Sequence, residues 1–144
     1  MGLSEFTVQR IVEFVDTDMG GIVHFSRYPV FVETAEHRFR ERAGHRVHHD
    51  RDGVPIGWPR VSMTVDYHSP ARFGETLDIR LRVARIGGSS MTFGFEVTVE
   101  GRRVVTGSMT SVCCVLDPRG EVRAVPIPDD IRAQFACAEE VPPS

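Results

Sequence analysis

The segment that decides the fold is residues 26–44, SRYPVFVETAEHRFRERAG, which carries the start and stop signals of one long helix. Ser26 is a good N-cap residue, and Pro29 suits the first helical turn, where a missing N–H costs nothing. Gly44 suits the position just beyond the helix end, because glycine adopts a left-handed conformation without strain. The sequence therefore predicts a helix from about Ser26 to Ala43.

One side of this predicted helix is apolar. Its apolar residues recur at spacings of three and four, which aligns them in a single stripe for burial. The stripe consists of Tyr28, Phe31, Ala35, Phe39 and Ala43. Glu36 and Arg40 have the i,i+4 spacing of a favourable ion pair, and we expect this pair on the solvated side of the helix.

On both sides of the helix the hydrophobic pattern has a period of two, which is typical of half-buried strands. Residues 6–14 alternate in this way before the helix. The alternating apolar residues after it are Val61, Met63, Val65 and Tyr67; Leu77, Ile79, Leu81 and Val83; and Met91, Phe93, Phe95, Val97 and Val99. A last long strand is predicted over 104–116 and a short helical turn over 129–135. The connections between strands are short, so we expect antiparallel hairpins.

The order of elements is strand, long helix and then four strands, which indicates an α+β protein. One apolar sheet face must be covered, and only one long helix is available to cover it. We therefore predict a curved five-stranded antiparallel sheet wrapped around one long central helix. A single domain is expected over residues 1–138, with residues 139–144 as a disordered C-terminal tail.

The composition excludes several function classes. The chain has 144 residues, the size of one domain, and its net charge of −3 gives no sign of a nucleic-acid or membrane surface. All 17 basic residues are arginine, which excludes Schiff-base lysines and the Walker-type loop. Cys113, Cys114 and Cys137 lack the spacing of a zinc site, and we expect buried or inert thiols in a cytoplasmic protein. No apolar run approaches the ~20 residues of a membrane helix.

Candidate functional residues are concentrated in residues 14–28, FVDTDMGGIVHFSRY. Asp16 and Asp18 precede a helix start, where the first backbone N–H groups have no partner within the helix and carry partial positive charge. A carboxylate facing a carbonyl carbon, with such N–H groups at the carbonyl oxygen, can catalyse acyl transfer. An aspartate-rich turn that merely caps the helix is the alternative interpretation.

Three stretches resemble the 4-hydroxybenzoyl-CoA thioesterase family, which consists of small acyl-CoA thioesterases of the hotdog fold. They are DTDMGGIVHFSRY (16–28), DYHSPARFGETLDI (66–79) and GSSMTFGFEV (88–97). The resemblance covers roughly residues 6–116 in the same order. It implies a homodimer or homotetramer with sites between protomers. It also implies hydrolysis of an acyl-CoA substrate with no cofactor beyond the coenzyme A of that substrate.

The resemblance implies roles for individual residues. Asp18 matches the family's catalytic carboxylate, which attacks the thioester carbonyl or activates a water molecule. The backbone N–H of Phe25 matches the donor that polarises this carbonyl. Glu33 falls where a second acidic residue approaches the acyl pocket, whereas Asp16 is expected to support the loop. The other expected substrate contacts are Gly21, Tyr28 and Trp58.

Two positions depart from the family pattern. Many relatives have a histidine seven residues after the catalytic aspartate, where this chain has Phe25. His24 lies one residue earlier, an offset that turns a helical side chain by about 100°, and it remains a candidate catalytic residue. The basic residues that bind coenzyme A phosphates are reduced to Arg85, accompanied by Ser89 and Ser90.

Two other patterns, a basic stretch and an FVDTD motif, suggest different kinds of site. The basic stretch 38–51 contains His45, His48 and His49, but we expect a solvated helix end there and no metal site. The FVDTD motif is similar to that of haloacid dehalogenase-type phosphatases, yet Gly20 occupies the required hydroxyl position and the strands are not parallel. We therefore predict an acyl-CoA thioesterase for an aromatic or medium-chain acyl group. A non-catalytic acyl-binding module and a carrier-protein substrate remain open.

Overall fold

The computed structural model describes residues 2–44, 49–51 and 53–138. The strands are β1 (Glu5–Ile11), β2 (His49–Arg51), β3 (Val54–Gly57), β4 (Arg60–Tyr67), β5 (Thr76–Ile86), β6 (Ser90–Val99), β7 (Arg102–Val112), β8 (Cys114–Leu116) and β9 (Val122–Ala124). The helices are a short 3₁₀ turn (Phe14–Asp16), α1 (Arg27–Arg42) and α2 (Asp129–Arg132). Within the described part of the chain, no helix is both long and apolar enough to cross a membrane. The predicted tail 139–144 and the side chains of the histidine cluster lie outside the described residues.

The long helix forms where the sequence predicts it. Pro29 occupies its first turn, and Gly44 follows its end with a φ of 100°, a conformation that favours glycine. Ser26 occupies the N-cap position, as predicted. Its side chain, however, makes no hydrogen bond to the N–H groups of the first helical turn, so it does not cap the helix in the expected way. The Ser26 hydroxyl instead lies within hydrogen-bond distance of Nδ1 of His24.

The predicted five-stranded antiparallel sheet is confirmed, with the strand order β1-β5-β6-β7-β4. Alternate side chains of β5 and β6 are buried, as the period of two predicts. They share one core with the apolar stripe of α1, of which Phe31, Ala35 and Phe39 are fully buried. The sheet and the helix therefore cover each other, and the helix N-terminus emerges at the end of the sheet where β1 ends.

A second sheet, of order β2-β3-β8-β9, was not predicted. The expected single strand over 104–116 is wrong, because it is interrupted at Cys113 and resumes as β8. Pro59 interrupts the facing strand, and its carbonyl accepts the N–H of Val112 at 3.0 Å. The next N–H, that of Cys113, donates instead to the carbonyl of Ser89 at 2.7 Å. This change of partners turns the last part of the strand out of the main sheet.

The ion pair on the long helix is present but is not on the solvated side. Both Glu36 and Arg40 are buried, and Nε of Arg40 lies 3.5 Å from Oε1 of Glu36. Arg60 from β4 adds a second cation, with its NH2 2.8 Å from the same oxygen. Trp58 covers Arg40, whose guanidinium carbon lies 4.2 Å from the ring centroid. Burial lowers the pKa of Arg40 below its usual value, and the Glu36 carboxylate opposes that shift.

The cysteines divide into two classes. Cys113 and Cys114 are buried, and burial raises the pKa of the Cys114 thiol. Cys137 is exposed, so burial does not protect this thiol.

Candidate active site

The residues between β1 and α1 form a small hairpin, residues 16–24. The N–H of Asp18 donates to the carbonyl of Ile22 at 2.8 Å, and the N–H of His24 donates to the carbonyl of Asp16 at 2.8 Å. These paired bonds place Asp18 near the tip of the hairpin and His24 at its base. The hairpin leads directly into α1.

Gly21 allows the hairpin to turn. Its φ is 78°, in the left-handed region that glycine adopts without strain. Its N–H donates to the carbonyl of Asp18 at 3.0 Å and closes the turn. A side chain at this position would strain the backbone that carries Asp18. The structure thus gives Gly21 a definite role in shaping the loop.

Asp16 is the structural aspartate of the loop. Its side chain is completely buried, and Oδ2 accepts the N–H of Glu13 at 2.9 Å. Oδ1 accepts a hydrogen bond from Nε of Arg27 at 3.0 Å and lies 2.8 Å from NH2 of the same residue. Arg10 of β1 lies 3.6 Å from the same oxygen. The carboxylate therefore ties β1, the loop and α1 together, which fits its expected supporting role.

Asp18 has the opposite surroundings. Its side chain is exposed, and Oδ1 accepts the N–H of Gly20 at 2.7 Å in a local turn. The other carboxylate oxygen has no hydrogen-bond or ionic partner among the described residues. A carboxylate with one oxygen held and the other open to solvent can act as a base or as a nucleophile.

The start of α1 includes backbone N–H groups that have no acceptor among the described residues. The N–H of Arg27 donates to the carbonyl of His24 at 2.9 Å, and the N–H of Ser26 donates to Nδ1 of His24 at 3.2 Å. The N–H of Phe25 has no acceptor among the described residues. The expected run of unpaired amides therefore loses those of Ser26 and Arg27 and keeps that of Phe25.

His24 is exposed and is oriented by its neighbours. The Ser26 hydroxyl lies 2.7 Å from Nδ1, and the His24 ring stacks on Phe25 with centroids 4.8 Å apart. Because Nδ1 accepts the Ser26 N–H, a neutral ring carries its proton on Nε2. The sequence offset had left the direction of this side chain open, and the structure turns Nδ1 toward the backbone.

Tyr67, at the end of β4, was missed as a functional candidate. Its hydroxyl donates to the carbonyl of Phe25 at 3.0 Å. The alternation of β4 assigned it only to an apolar face, although a phenol at a strand end was a usable signal. Tyr28, an expected substrate contact, is instead buried in the core with its hydroxyl bonded to the backbone of Ala71, and burial raises its pKa.

Two further expected contacts lie along the helix, away from the loop. Glu33 is exposed on α1, and Oε2 lies 3.7 Å from NH1 of Arg60. Trp58 is half-buried against Arg40 nearer the end of the helix. The structure therefore places Asp18, His24 and Phe25 on one short loop, and Glu33 and Trp58 lie successively further along the helix.

The expected coenzyme A contacts lie at the opposite end of the sheet. β5 begins at Thr76, beside the end of β1, and Arg85 is nine residues further on, roughly 30 Å at the rise of a strand. Ser89 and Ser90 follow in the adjoining turn. Within one protomer these three residues are therefore well separated from the hairpin along the sheet. Among the described residues, no cluster of histidine, cysteine and acidic side chains has the geometry to hold a metal ion.

Comparisons with known proteins identify related chains. Residues 12–135 match the model of the thioesterase-like superfamily. The acyl-CoA thioester hydrolase YbgC of Escherichia coli is 29% identical over 129 residues, covering 86% of this chain and 90% of that protein. A 1,4-dihydroxy-2-naphthoyl-CoA hydrolase of Synechococcus is 27% identical, covering 86% of this chain and 85% of that protein. A mutant 4-hydroxybenzoyl CoA thioesterase, complexed with 4-hydroxybenzoyl CoA, has the same fold, with a TM-score of 0.83, 20% identity and coverage of 92% and 99%.

Proposed function

The chain belongs to the thioesterase-like superfamily, and we propose that it hydrolyses acyl-CoA thioesters with the carboxylate of Asp18 and the backbone N–H of Phe25. It is an acyl-CoA thioester hydrolase like the curated relatives that it matches over most of its length. One observation supports these residue roles above the others. An exposed carboxylate with an open oxygen and a backbone donor with no acceptor among the described residues lie in one short loop.

Two routes use these groups. In the first, Asp18 takes a proton from water while the water oxygen bonds to the thioester carbon; the C–S bond then breaks, and the departing thiolate recovers the proton. In the second, Asp18 attacks the carbon itself, coenzyme A leaves, and water hydrolyses the resulting anhydride. In both routes the carbonyl oxygen becomes negative and accepts the N–H of Phe25. Such a donor typically contributes about 10²–10³ in rate. Neither route needs a metal or redox cofactor.

We further propose that the enzyme is a homodimer or homotetramer whose sites lie between protomers. Among the described strands β4 pairs only with β7, so its outer edge is open to a second copy. Large apolar side chains around the loop and on β4 are exposed in the single chain. They include Phe14, Met19, Phe25, Val61 and Tyr67. A partner copy would also bring its own β5–β6 turn, with Arg85, Ser89 and Ser90, within reach of coenzyme A.

The acyl group is proposed to lie along α1, past Glu33 toward Trp58. An aromatic or medium-chain acyl group fits this path, because the exposed Val30 and the Glu33–Arg60 pair offer both apolar and polar contacts. The partners are thus an acyl-CoA and further copies of the chain, without nucleic acid or membrane, and we place the enzyme in the cytoplasm.

The test is thiol release from a panel of acyl-CoA substrates, from benzoyl to palmitoyl. Asp18→Asn keeps the shape and the bond to Gly20, and we expect it to lower turnover by about 10²–10³ or more. Asp117→Asn is the matched control, because Asp117 also accepts a backbone N–H, that of Arg119, in a local turn. An Asp18→Asn protein with most of the parent activity would refute the assignment. No hydrolysis of any substrate by the parent chain would favour the acyl-binding module or a carrier-protein substrate.

A further inference from the structure

We propose that Tyr67 is a positioning residue for the oxyanion donor, acting through the backbone of Phe25. The inference rests on the function proposed above and goes beyond it, because Tyr67 contacts neither Asp18 nor the open N–H. Its hydroxyl donates to the carbonyl oxygen of Phe25, the other polar group of the residue whose N–H is open. It reaches that oxygen from β4, 42 residues along the chain.

The two peptide groups that flank the α-carbon of Phe25 are held by different partners. The first peptide group joins His24 to Phe25 and carries the open N–H. Its carbonyl, that of His24, accepts the N–H of Arg27 at 2.9 Å. The second peptide group joins Phe25 to Ser26. Its N–H, that of Ser26, donates to Nδ1 of His24 at 3.2 Å, and its carbonyl, that of Phe25, accepts the hydroxyl of Tyr67 at 3.0 Å. Only the Tyr67 bond comes from outside the loop and the helix start. It therefore ties the backbone of Phe25 directly to β4 and helps to fix the direction of the open N–H relative to the sheet.

The carbonyl of Phe25 needs to be held because it carries the wrong charge for the reaction. A carbonyl oxygen that rotated toward the developing oxyanion would repel it, whereas the N–H attracts it. The hydroxyl of Tyr67 keeps this oxygen occupied on the side of β4. A misplacement of about 1 Å in the geometry of a site can lower the rate about 100-fold.

Tyr67 is itself attached to the rigid part of the fold. It pairs with Val105 of β7 as the last residue of β4. Its ring contacts that of Tyr28 with centroids 5.8 Å apart, and Tyr28 is buried in the core. The sheet and the core therefore set the position of the Tyr67 hydroxyl, and this hydroxyl in turn sets the position of the Phe25 carbonyl in the loop.

Tyr67→Phe tests the inference, because it removes the hydroxyl and keeps the ring contact with Tyr28. We expect kcat to fall about 10- to 100-fold with KM changed less than twofold, because the lost constraint acts in the transition state. Ser69→Ala is the control: it also removes a hydroxyl that donates to a backbone carbonyl, that of Arg103 at 2.6 Å, a short distance beyond β4. We expect the control to keep the parent kcat, and thermal unfolding of both variants checks that they are folded.

A binding measurement separates positioning from a merely structural role. A trifluoromethyl ketone analogue of the acyl-CoA adds water or the Asp18 carboxylate at its carbonyl carbon, so its former carbonyl oxygen becomes tetrahedral and faces the N–H of Phe25. A thioether analogue has no carbonyl carbon to attack and forms no such adduct. Tyr67→Phe should lower the affinity for the trifluoromethyl ketone analogue by the same factor as it lowers kcat. The affinity for the thioether analogue should be unchanged. Equal weakening of both analogues, or a kcat equal to that of Ser69→Ala, overturns the inference. If Asp18→Asn also remains active, the proposed function fails; if it is inactive, only the role of Tyr67 fails.

Discussion

Replacing each aspartate of the loop by asparagine should separate stability from activity. The Asp16 side chain is completely buried and that of Asp18 is exposed. Asp16→Asn removes the charge that faces two arginines, Arg27 and Arg10. Asp18→Asn removes a charge that faces solvent. The first change is expected to destabilise the fold, and the second to lower turnover by about 10²–10³ or more at unchanged stability.

The size of the first effect follows from the exposure of the arginines. Removing one partner of a fully buried pair costs about 3–5 kcal/mol, because the other charge is left unpaired. Here the side chains of Arg27 and Arg10 are 30% and 27% exposed, so water can replace part of the lost interaction. The asparagine oxygen can still accept one hydrogen bond. We therefore expect Asp16→Asn to lower the free energy of unfolding by about 2 kcal/mol.

Urea unfolding, followed by the fluorescence of Trp58, the single tryptophan of the chain, measures both variants. We expect Asp18→Asn to lie within about 0.5 kcal/mol of the parent, because an asparagine oxygen can still accept the N–H of Gly20. The slope of the transition should be unchanged in both. An Asp16→Asn protein as stable as the parent would refute the argument that the buried carboxylate holds the loop.

The remaining predictions concern the core. Glu36→Gln should lower the free energy of unfolding by about 3 kcal/mol in urea titrations, because it leaves the buried Arg40 without a counter-ion. Arg40→Met should cost less than about 1 kcal/mol in the same assay, since Glu36 keeps a second arginine; equal losses would contradict the argument. Gly107→Ala should cost about 2 kcal/mol or more by thermal unfolding, because a β-carbon there collides with a neighbouring carbonyl and a phenylalanine ring; an unchanged melting temperature would count against it. An aromatic disulfide reagent at mildly alkaline pH should modify Cys137 in the native protein and Cys114 only after unfolding, because the raised pKa of Cys114 lowers its thiolate fraction; mass mapping that finds Cys114 labelled first would overturn this.

The helix and the main sheet were predictable because each has one apolar face and a distinct period. The stripe from Tyr28 to Phe39 and the alternation in β5 and β6 depend only on local geometry. The second sheet was not predictable in this way. It forms where the N–H of Val112 bonds to Pro59 and the next N–H, that of Cys113, bonds to Ser89, and these are contacts between residues far apart in the sequence. The burial of Glu36 with Arg40 was missed for the same reason, because Arg60 and Trp58 arrive from another strand.

The loop that carries the candidate site could be selected from the sequence, but the hydrogen bonds within it could not. The two aspartates before a helix start indicated the loop, and the family resemblance selected it over a simple helix cap. The sequence did not show which amide remains open, because that depends on His24, whose ring and carbonyl accept the N–H groups of Ser26 and Arg27. Nor could it show Tyr67, whose bond to the loop spans 42 residues. Both are matters of side-chain direction, which a sequence pattern does not specify.

The contrast between Asp16 and Asp18 explains how an exposed carboxylate can be held in place, as the catalytic role proposed for Asp18 requires. Two residues apart on a regular strand, both would face the same side. The 3₁₀ turn that ends at Asp16 breaks that rule, so one side chain enters the protein and the other leaves it. The buried carboxylate fixes the hairpin to β1 and α1 through Arg10 and Arg27. Because the hairpin is short and its base is fixed, the position of its tip is restrained as well. Asp18 can therefore stay exposed to substrate and water without losing its position.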